Sequence, residues 1–407
     1  MYTGHLQANP EEEAAVGYPH IEFQCLASSE DGIHFEKSKK NPIIEEADVK
    51  SDDVSIHDIR DPKVWVHNGK YYAVLGSRTP DMAHGQILLF ESKDLTTSWR
   101  FKEISTRSEG DLGGMWECPN FAEIDGQDVL IFSPMDIFNN EKFYHDKAAG
   151  VLIGKLNYKT GIFKHGDFQY LDKGWDFYAP QVMQTPDGRS VIIGWLDMWG
   201  AEMHETKDGW AGHMSIPREL RIRDGKIVSL PVKELEKLRK WTPITLEDVV
   251  IDEAATIDGV SGEAYELLLN IDAAKSKKFS IALRASELEQ TVLTYNSCGK
   301  FKFDRTKSGE PIGGFPSVRE IDIEPTDKLK LHIFVDRSSV EVFINDGAEV
   351  FSARIYPKRT SQKVIFTPEN ETLVIDSLEY YKLDFGIPHP HIKDTVVDVA
   401  KEFPFLK

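Results

Sequence analysis

The chain has 407 residues, of which 41% are hydrophobic, so it can hold two domains, or one large one, with a sizeable core. Its 48 basic and 67 acidic residues give a formal net charge of −19, and no stretch is strongly basic. Nucleic acid and anionic membrane surfaces are therefore excluded as expected partners. No apolar run is long enough to span a membrane. Oligomeric state is not predicted.

Three cysteines, Cys25, Cys118 and Cys298, have no metal-binding spacing and cannot all pair with one another. Free thiols in a reducing compartment are therefore expected. The first residues show no signal-peptide pattern, and the cytoplasm is the expected location. His145, His204 and His213 also lack the spacing of metal ligands, so neither a metal nor another cofactor is expected.

The first forty residues resemble the latter part of a repeat that is complete further along the chain. Residues 2–4 resemble the end of a second strand, residues 23–27 a third strand, and residues 33–35 the start of a fourth. Asp31 precedes the corresponding Asp94 by 63 residues, which is close to one repeat. No first strand is left for this repeat, so we expect the sequence to begin inside it.

Three later segments share one layout: a residue followed by proline, an apolar stretch, a glycine turn and an apolar run. Their prolines, Pro62, Pro119 and Pro180, are 57 and 61 residues apart, and the turn glycine follows each proline by 7, 7 and 8 residues. A fixed period indicates one supersecondary unit used several times. A unit of about 60 residues with several short strands is typical of a β-propeller blade. We expect three complete four-stranded blades and a partial one.

Carboxylates stand at the start of the first strand in two of these repeats. Asp61 lies in Arg60-Asp61-Pro62, and Glu117 lies in Trp116-Glu117-Cys118-Pro119. Because the first strands of propeller blades surround one axis, we expect Asp61 and Glu117 to face one another across it.

The repeat ends near residue 240, and the pattern changes. Residues 231–240 form a predicted short charged helix and linker. Strands at 265–271, 279–284, 329–335 and 340–344 then alternate apolar and polar residues, which indicates two packed antiparallel sheets. The predicted organisation is all-β: a propeller at 1–236, a β-sandwich at 237–385 and an extension at 386–407.

These segments resemble those of glycoside hydrolase family 32. Arg60-Asp61-Pro62 is similar to the Arg-Asp-Pro segment of that family, and Trp116-Glu117-Cys118-Pro119 to its Glu-Cys segment. Residues 176–181 and 329–343 match further stretches, so the resemblance covers almost the whole chain. It implies a five-bladed propeller joined to a sandwich, and a retaining β-fructofuranosidase that acts on the terminal fructofuranoside of sucrose or sucrose-6-phosphate.

The resemblance also implies roles for individual residues. Glu117 would be the acid/base, and Asp61 would bind sugar hydroxyls and stabilise the oxocarbenium-like transition state. An acid/base carboxyl needs a pKa above that of a free carboxylic acid. The predicted sugar-binding residues are Arg60, Cys118, Asp176, Tyr178, Gln181 and Trp199.

Structural alternatives stay open for several of these residues. A glutamate bonded to blade backbone and an Arg–Asp pair in a propeller core would also explain the two carboxylates. Cys118 suits a buried small hydrophobe as well as a sugar contact. Trp195 suits the core better than Trp199 does, since Trp195 ends a strand.

One family feature is missing from this sequence. The nucleophile of the family is the aspartate of an Asn-Asp-Pro-Asn segment in the first blade, whereas the only Asp-Pro here is Asp61-Pro62. The family implies that the first blade and the first strand of the second precede residue 2, in agreement with the incomplete first repeat. A fructan exohydrolase and a non-catalytic sugar-binding remnant remain the alternatives.

Overall fold

A computed structural model describes residues 1–7, 20–109, 112–137, 144–369 and 371–384. These residues form β-strands with three short 3-10 helices, Glu46–Asp48, His204–Asp208 and Lys233–Leu238, and none of these helices could cross a membrane. Contacts divide the chain into two units. The first comprises Met1–Leu230 with Gly347–Ala353, and the second comprises Pro231–Asp346 with the chain from Arg354 onwards. The predicted extension at 386–407 lies outside the described residues.

The N-terminal part of the first unit contains two small antiparallel sheets. They are β1 (Tyr2–Gln7) with β2 (His20–Cys25), and β3 (Ala27–Ser28) with β4 (Glu36–Lys37). The fourth strand expected at 33–35 is wrong. The Asp31 carboxylate accepts the N–H groups of Ile33 and His34, both at 2.8 Å, so these residues form a turn. Pairing starts only after this turn, at Glu36.

Three larger antiparallel sheets follow, one for each predicted complete blade. The first is β5 (Ile59–His67), β6 (Lys70–Arg78), β7 (Gly85–Ser92) and β8 (Arg100–Arg107), paired in that order. The second is β9 (Met115–Ile124), β10 (Gln127–Met135), β11 (Gly150–Leu156) and β12 (Phe163–His165), with β13 (Gln169–Tyr170) also on β11. The third is β14 (Tyr178–Gln184), β15 (Ser190–Leu196), β17 (Arg218–Arg223) and β18 (Lys226–Pro231), with β16 (His213–Met214) beside β15.

Consecutive sheets pack face to face, and their middle strands are buried on both sides. Along β6, Ala73 and Leu75 join a core with Ile44 and Val54 of the segment before β5, whereas Val74 joins the core shared with the second complete blade. Along β10, Leu130 and Ile131 likewise belong to different cores. Burial of both faces explains the continuous apolar runs after each glycine turn. The propeller prediction is confirmed for the described residues.

The strands from Arg239 onwards form two antiparallel sheets. One has the order β19, β29, β20, β25, β26, β27 and the other the order β24, β23, β22, β21, β28. The strands are β19 (Arg239–Ile251), β20 (Tyr265–Asp272), β21 (Lys278–Ala285), β22 (Gln290–Asn296), β23 (Lys300–Lys307), β24 (Val318–Asp322), β25 (Lys328–Val335), β26 (Ser339–Ile344), β27 (Glu349–Arg354), β28 (Lys363–Pro368) and β29 (Leu373–Leu383). Alternate residues of β22 are buried, which is the pattern of a strand with one face in a sandwich core. The sandwich prediction is confirmed.

Candidate active site

The first strands of the three complete blades share a bulge around their prolines. In β5 the pairing register with β6 shifts between Arg60 and Lys63, because β5 has one extra residue there. The same shift occurs in β9 between Glu117 and Asn120, and in β14 between Tyr178 and Gln181. Bulges bend a strand and re-aim its side chains, and they occur often beside active sites.

Each bulge contains a residue with a positive φ directly before its proline. Asp61, Cys118 and Ala179 have φ values of 60°, 49° and 47°, a conformation that costs on the order of 1–3 kcal/mol outside glycine. Their N–H groups all donate to side chains: Asp61 to Thr3 Oγ1 at 2.9 Å, Cys118 to Asp61 Oδ2 at 2.9 Å, and Ala179 to Ser133 Oγ at 3.1 Å. These bonds stabilise the strained backbone at the same point of each blade.

The residues that begin the three bulges contact one another. Arg60 donates from Nε and Nη2 to Glu117 Oε1 at 3.1 and 2.8 Å, and the Tyr178 hydroxyl donates to Glu117 Oε2 at 2.7 Å. The repeats predict that Asp61 and Glu117 occupy the same position of their blades, but the structure places them one residue apart. Glu117 corresponds to Arg60, because it lies two residues before its proline, whereas Asp61 lies one residue before its own and corresponds to Cys118.

Asp61 lies against the Cys118 end of the β9 bulge. Its Oδ2 accepts the Cys118 N–H, and the Cys118 Sγ is 3.6 Å from the same oxygen. Burial raises the pKa of Asp61, the Cys118 N–H acts against this, and the negative charge of Glu117 raises the pKa further. Asp61 and Glu117 are therefore close enough to interact electrostatically, on neighbouring blades.

Arg60 is held from behind by two buried carboxylates. Its Nη1 is 3.3 Å from Glu22 Oε2 and 3.1 Å from Asp58 Oδ1. Burial lowers the pKa of Arg60, but the charges of Glu22 and Glu117 outweigh burial, and the pKa lies above its ordinary value. Arg60 is thus a fixed cation that orients Glu117. The Glu117 side chain is 17% exposed.

The other predicted site residues differ in their placement. Tyr178 is buried against Glu117, and Cys118 is partly exposed beside Asp61. Gln181 is exposed directly after the β14 bulge. Trp199 is 54% exposed and meets Trp195 edge to face at 5.3 Å.

Asp176 remains a predicted sugar-binding residue. It is fully buried, so it presents no surface to a sugar in this structure. Asp176 lies two residues before β14 begins, and its neighbours Trp175 and Phe177 are buried as well. Its backbone N–H donates to Ser352 O at 3.2 Å.

Five residues of this arrangement were not predicted from the sequence: Thr3, Glu22, Asp58, Asn120 and Ser133. Asn120 follows Pro119 directly, and it is fully buried. A polar residue directly after the proline, as with Lys63 and Gln181 in the other repeats, is the signal that could have identified it. Within the described ranges, no group of three His, Cys, Asp or Glu residues has the arrangement of a metal site.

Comparisons with known proteins agree with this geometry. A relative named sucrose-6-phosphate hydrolase from Zymomonas mobilis is 34% identical over 405 residues, which cover 94% of this chain and 75% of that protein. The structure of sucrose-6-phosphate hydrolase from Lactobacillus gasseri has a TM-score of 0.82 at 27% identity, covering 94% of this chain and 75% of that one. A family 32 β-fructofuranosidase from Bombyx mori has a TM-score of 0.80 at 30% identity, covering 95% and 76%.

Two family descriptions match the two parts of the chain. Glycosyl hydrolases family 32 N-terminal domain matches residues 1–231, which carry the three bulges and the Arg60–Glu117–Tyr178 contacts. Glycosyl hydrolases family 32 C terminal matches residues 234–382, which carry the two sandwich sheets. Motifs, fold and relatives therefore agree, and the chain belongs to glycosyl hydrolases family 32.

Proposed function

We propose that this glycoside hydrolase releases fructose from terminal β-D-fructofuranosides, with sucrose or sucrose-6-phosphate as its substrate. The observation that carries this proposal is the contact of Glu117 with Arg60 and Tyr178, beside Asp61, where the first strands of three blades meet. The names of the Zymomonas mobilis and Lactobacillus gasseri relatives support the choice of substrate.

Glu117 is the proposed acid/base. In the first step its carboxyl donates a proton to the glycosidic oxygen while the bond from that oxygen to the fructosyl anomeric carbon breaks, and a second carboxylate bonds to that carbon. In the second step Glu117 takes a proton from water, the water oxygen bonds to the same carbon, and the bond from that carbon to the second carboxylate breaks, so that fructose leaves with its configuration retained.

Asp61 and Arg60 have supporting roles. Asp61 accepts hydrogen bonds from sugar hydroxyls and stabilises positive charge that develops at the anomeric carbon in the transition state. Arg60 keeps Glu117 in one orientation through its two bonds to Oε1. Cys118, Gln181 and Trp199 are proposed to contact the sugar.

The nucleophile needs a further carboxylate about 5–5.5 Å from Glu117. Asp61 is held through Oδ2 by the Cys118 N–H at the strained end of the bulge, which favours a stabilising role over attack. We therefore assign the nucleophile to an Asn-Asp-Pro-Asn blade, which these 407 residues do not include. A phosphorylated sugar as substrate would fit a cytoplasmic enzyme.

The test compares substrates. An N-terminal segment that forms the missing blade and carries Asn-Asp-Pro-Asn is joined before Met1 to give the joined chain. Fructose release is measured from sucrose, sucrose-6-phosphate and inulin. We expect turnover of sucrose or its 6-phosphate, and a loss of about 10²–10⁴-fold in kcat for Glu117→Gln, because the general acid is removed.

Faster release from inulin than from both forms of sucrose would instead identify a fructan exohydrolase. Binding of fructose without turnover of any of the three substrates would identify a sugar-binding remnant. Full turnover by Glu117→Gln would exclude Glu117 as the acid/base.

A further inference from the structure

We infer that Asn120 is a positioning residue that holds the bulges of β9 and β14 in register, so that Tyr178 contacts Glu117. This inference rests on the proposed function only for its kinetic consequences. Asn120 itself is fully buried and three residues beyond Glu117, and it therefore acts through other residues.

The amide nitrogen and the amide oxygen of the Asn120 side chain both bind backbone groups at the bulges. Its Nδ2 donates to Cys118 O and to Pro180 O, each at 3.0 Å, and its Oδ1 accepts the Val182 N–H at 3.2 Å. Cys118 O belongs to the bulge of β9, and Pro180 O to the bulge of β14. One amide therefore links the two bulges directly.

The free edge of β14 explains why such a link is needed. β14 pairs with β15 on one side, and in a propeller the other edge of a first strand faces the axis. Its buried backbone groups must find partners there. Asn120 binds Pro180 O and Val182 N, and Lys63 Nζ of β5 donates to Val182 O at 2.6 Å. Side chains from the other two blades thus replace a neighbouring strand.

The link lies next to the acid/base. Glu117 directly precedes Cys118, and Tyr178 is two residues before Pro180. Loss of the Asn120 amide would therefore release both ends of the Tyr178–Glu117 bond, which measures 2.7 Å. A displacement of about 1 Å in an active site can lower the rate by about 10²-fold.

Asn120→Asp is the chosen variant, because aspartate has the same size and can still accept the Val182 N–H, whereas an ionised carboxylate cannot donate to the two carbonyl oxygens and a protonated one can donate to only one of them. Gln184→Ala is the matched control. Gln184 is also an amide that joins β14 to β9, through Nε2 to Glu123 O at 3.3 Å, but it is exposed and lies at the far end of both strands.

The kinetic measurement uses the joined chain with two substrates. Sucrose requires protonation of its leaving group, whereas 4-nitrophenyl β-D-fructofuranoside releases a phenolate that hardly requires it. We expect Asn120→Asp to lower kcat on sucrose by about 10²-fold, with little change in KM and a much smaller loss on the aryl substrate. Gln184→Ala should match the parent on both. Equal losses on the two substrates would show a general structural defect and overturn the inference.

Crystal structures of residues 1–407 with each substitution give a measurement that does not depend on activity. We expect the distance from Tyr178 Oη to Glu117 Oε2 to exceed 3.5 Å in Asn120→Asp, beyond a hydrogen bond, and to stay near 2.7 Å in Gln184→Ala. An unchanged distance in Asn120→Asp would overturn the inference. If Asn120→Asp does not fold, Asn120→Ser replaces it. If the parent joined chain cleaves no fructoside, the proposed function fails, and this distance still decides the role of Asn120.

Discussion

Asp61 combines a structural bond with a proposed chemical role. Its N–H donates to the Thr3 hydroxyl, and its Oδ2 accepts the Cys118 N–H. Asp61, whose own φ is positive, therefore links β1, β5 and β9. The same burial that desolvates this carboxylate also opposes its ionisation. We therefore expect ionised Asp61 to lower the stability of the fold, as residues kept for function often do.

The first prediction concerns the pH dependence of this effect. Burial and the charge of Glu117 raise the pKa of Asp61. A group whose pKa is higher in the folded state stabilises most below its unfolded pKa, about 3.9, and this contribution is lost as the pH rises through the folded pKa. Asp61→Asn should therefore raise the Tm of residues 1–407 at pH 7, with no gain at pH 3, as measured by calorimetry.

Asp58→Asn is the control of opposite sign. Burial raises the pKa of Asp58, but its bonds to Arg78 and Arg60 outweigh burial, and the pKa lies below its ordinary value. This carboxylate stabilises the fold above its unfolded pKa, so Asp58→Asn should lower the Tm at pH 7. A lower Tm for both variants at pH 7 would contradict the assigned cost of ionised Asp61.

Residues within the repeated segments could be predicted from the sequence, whereas their partners could not. Arg60 and Glu117 each lie two residues before a proline of the repeat, so their position in the blade follows from the period. Thr3 and Glu22 lie 58 and 38 residues away from the groups they bind. Such contacts depend on how sheets pack, for which the local pattern contains no signal.

At the scale of elements, one glycine permits two blades to approach at the site. Gly76 of β6 pairs with Arg60, and a Cβ added to it would lie 2.2 Å from the backbone oxygen of Trp116, the residue before Glu117. The corresponding residues of the next two blades, Ser133 and Trp195, have side chains. The close approach is therefore particular to the pair of blades that carries Arg60 and Glu117.

The second prediction is that Gly76→Ala displaces β9. Because the added methyl group would meet backbone and not a flexible side chain, we expect a loss of about 1–3 kcal/mol in the free energy of unfolding. Fructose release by the joined chain should fall as well, since Glu117 moves with β9. Gly166→Ala is the control, because its Cβ would meet nothing within 4 Å. Parent-like activity and stability of Gly76→Ala would exclude this tight approach.

Strand positions were predicted well where an apolar run is buried on both faces, as in β6 and β10. The prediction failed at 33–35, where Ile33 and Phe35 are apolar but 77% and 62% exposed. There the Asp31 carboxylate competes for backbone N–H groups and makes a turn. The bulges were not predicted either, because the sequence before a proline gives no signal that the φ of that residue is positive.

At the scale of the whole molecule, the proposed acid/base and the proposed stabilising carboxylate lie on neighbouring blades. The chain spans 75% of the Zymomonas mobilis relative and of the Lactobacillus gasseri structure. Retaining hydrolysis needs two carboxylates, so activity requires that both face the same sugar.

The third prediction follows from this division. Residues 1–407 alone should hydrolyse sucrose and sucrose-6-phosphate on the order of 10⁴-fold or more slowly than the joined chain, because Glu117 would act on a poorly positioned water. The control is the joined chain with Asn-Ala-Pro-Asn, which supplies the same blade without the nucleophile and should be equally slow. It also separates chemistry from folding, since an added blade covers strand edges that could otherwise associate. Turnover by residues 1–407 equal to that of the joined chain would mean that a carboxylate within this sequence attacks the sugar, and Asp61, the neighbour of Glu117, would then be the first residue to test.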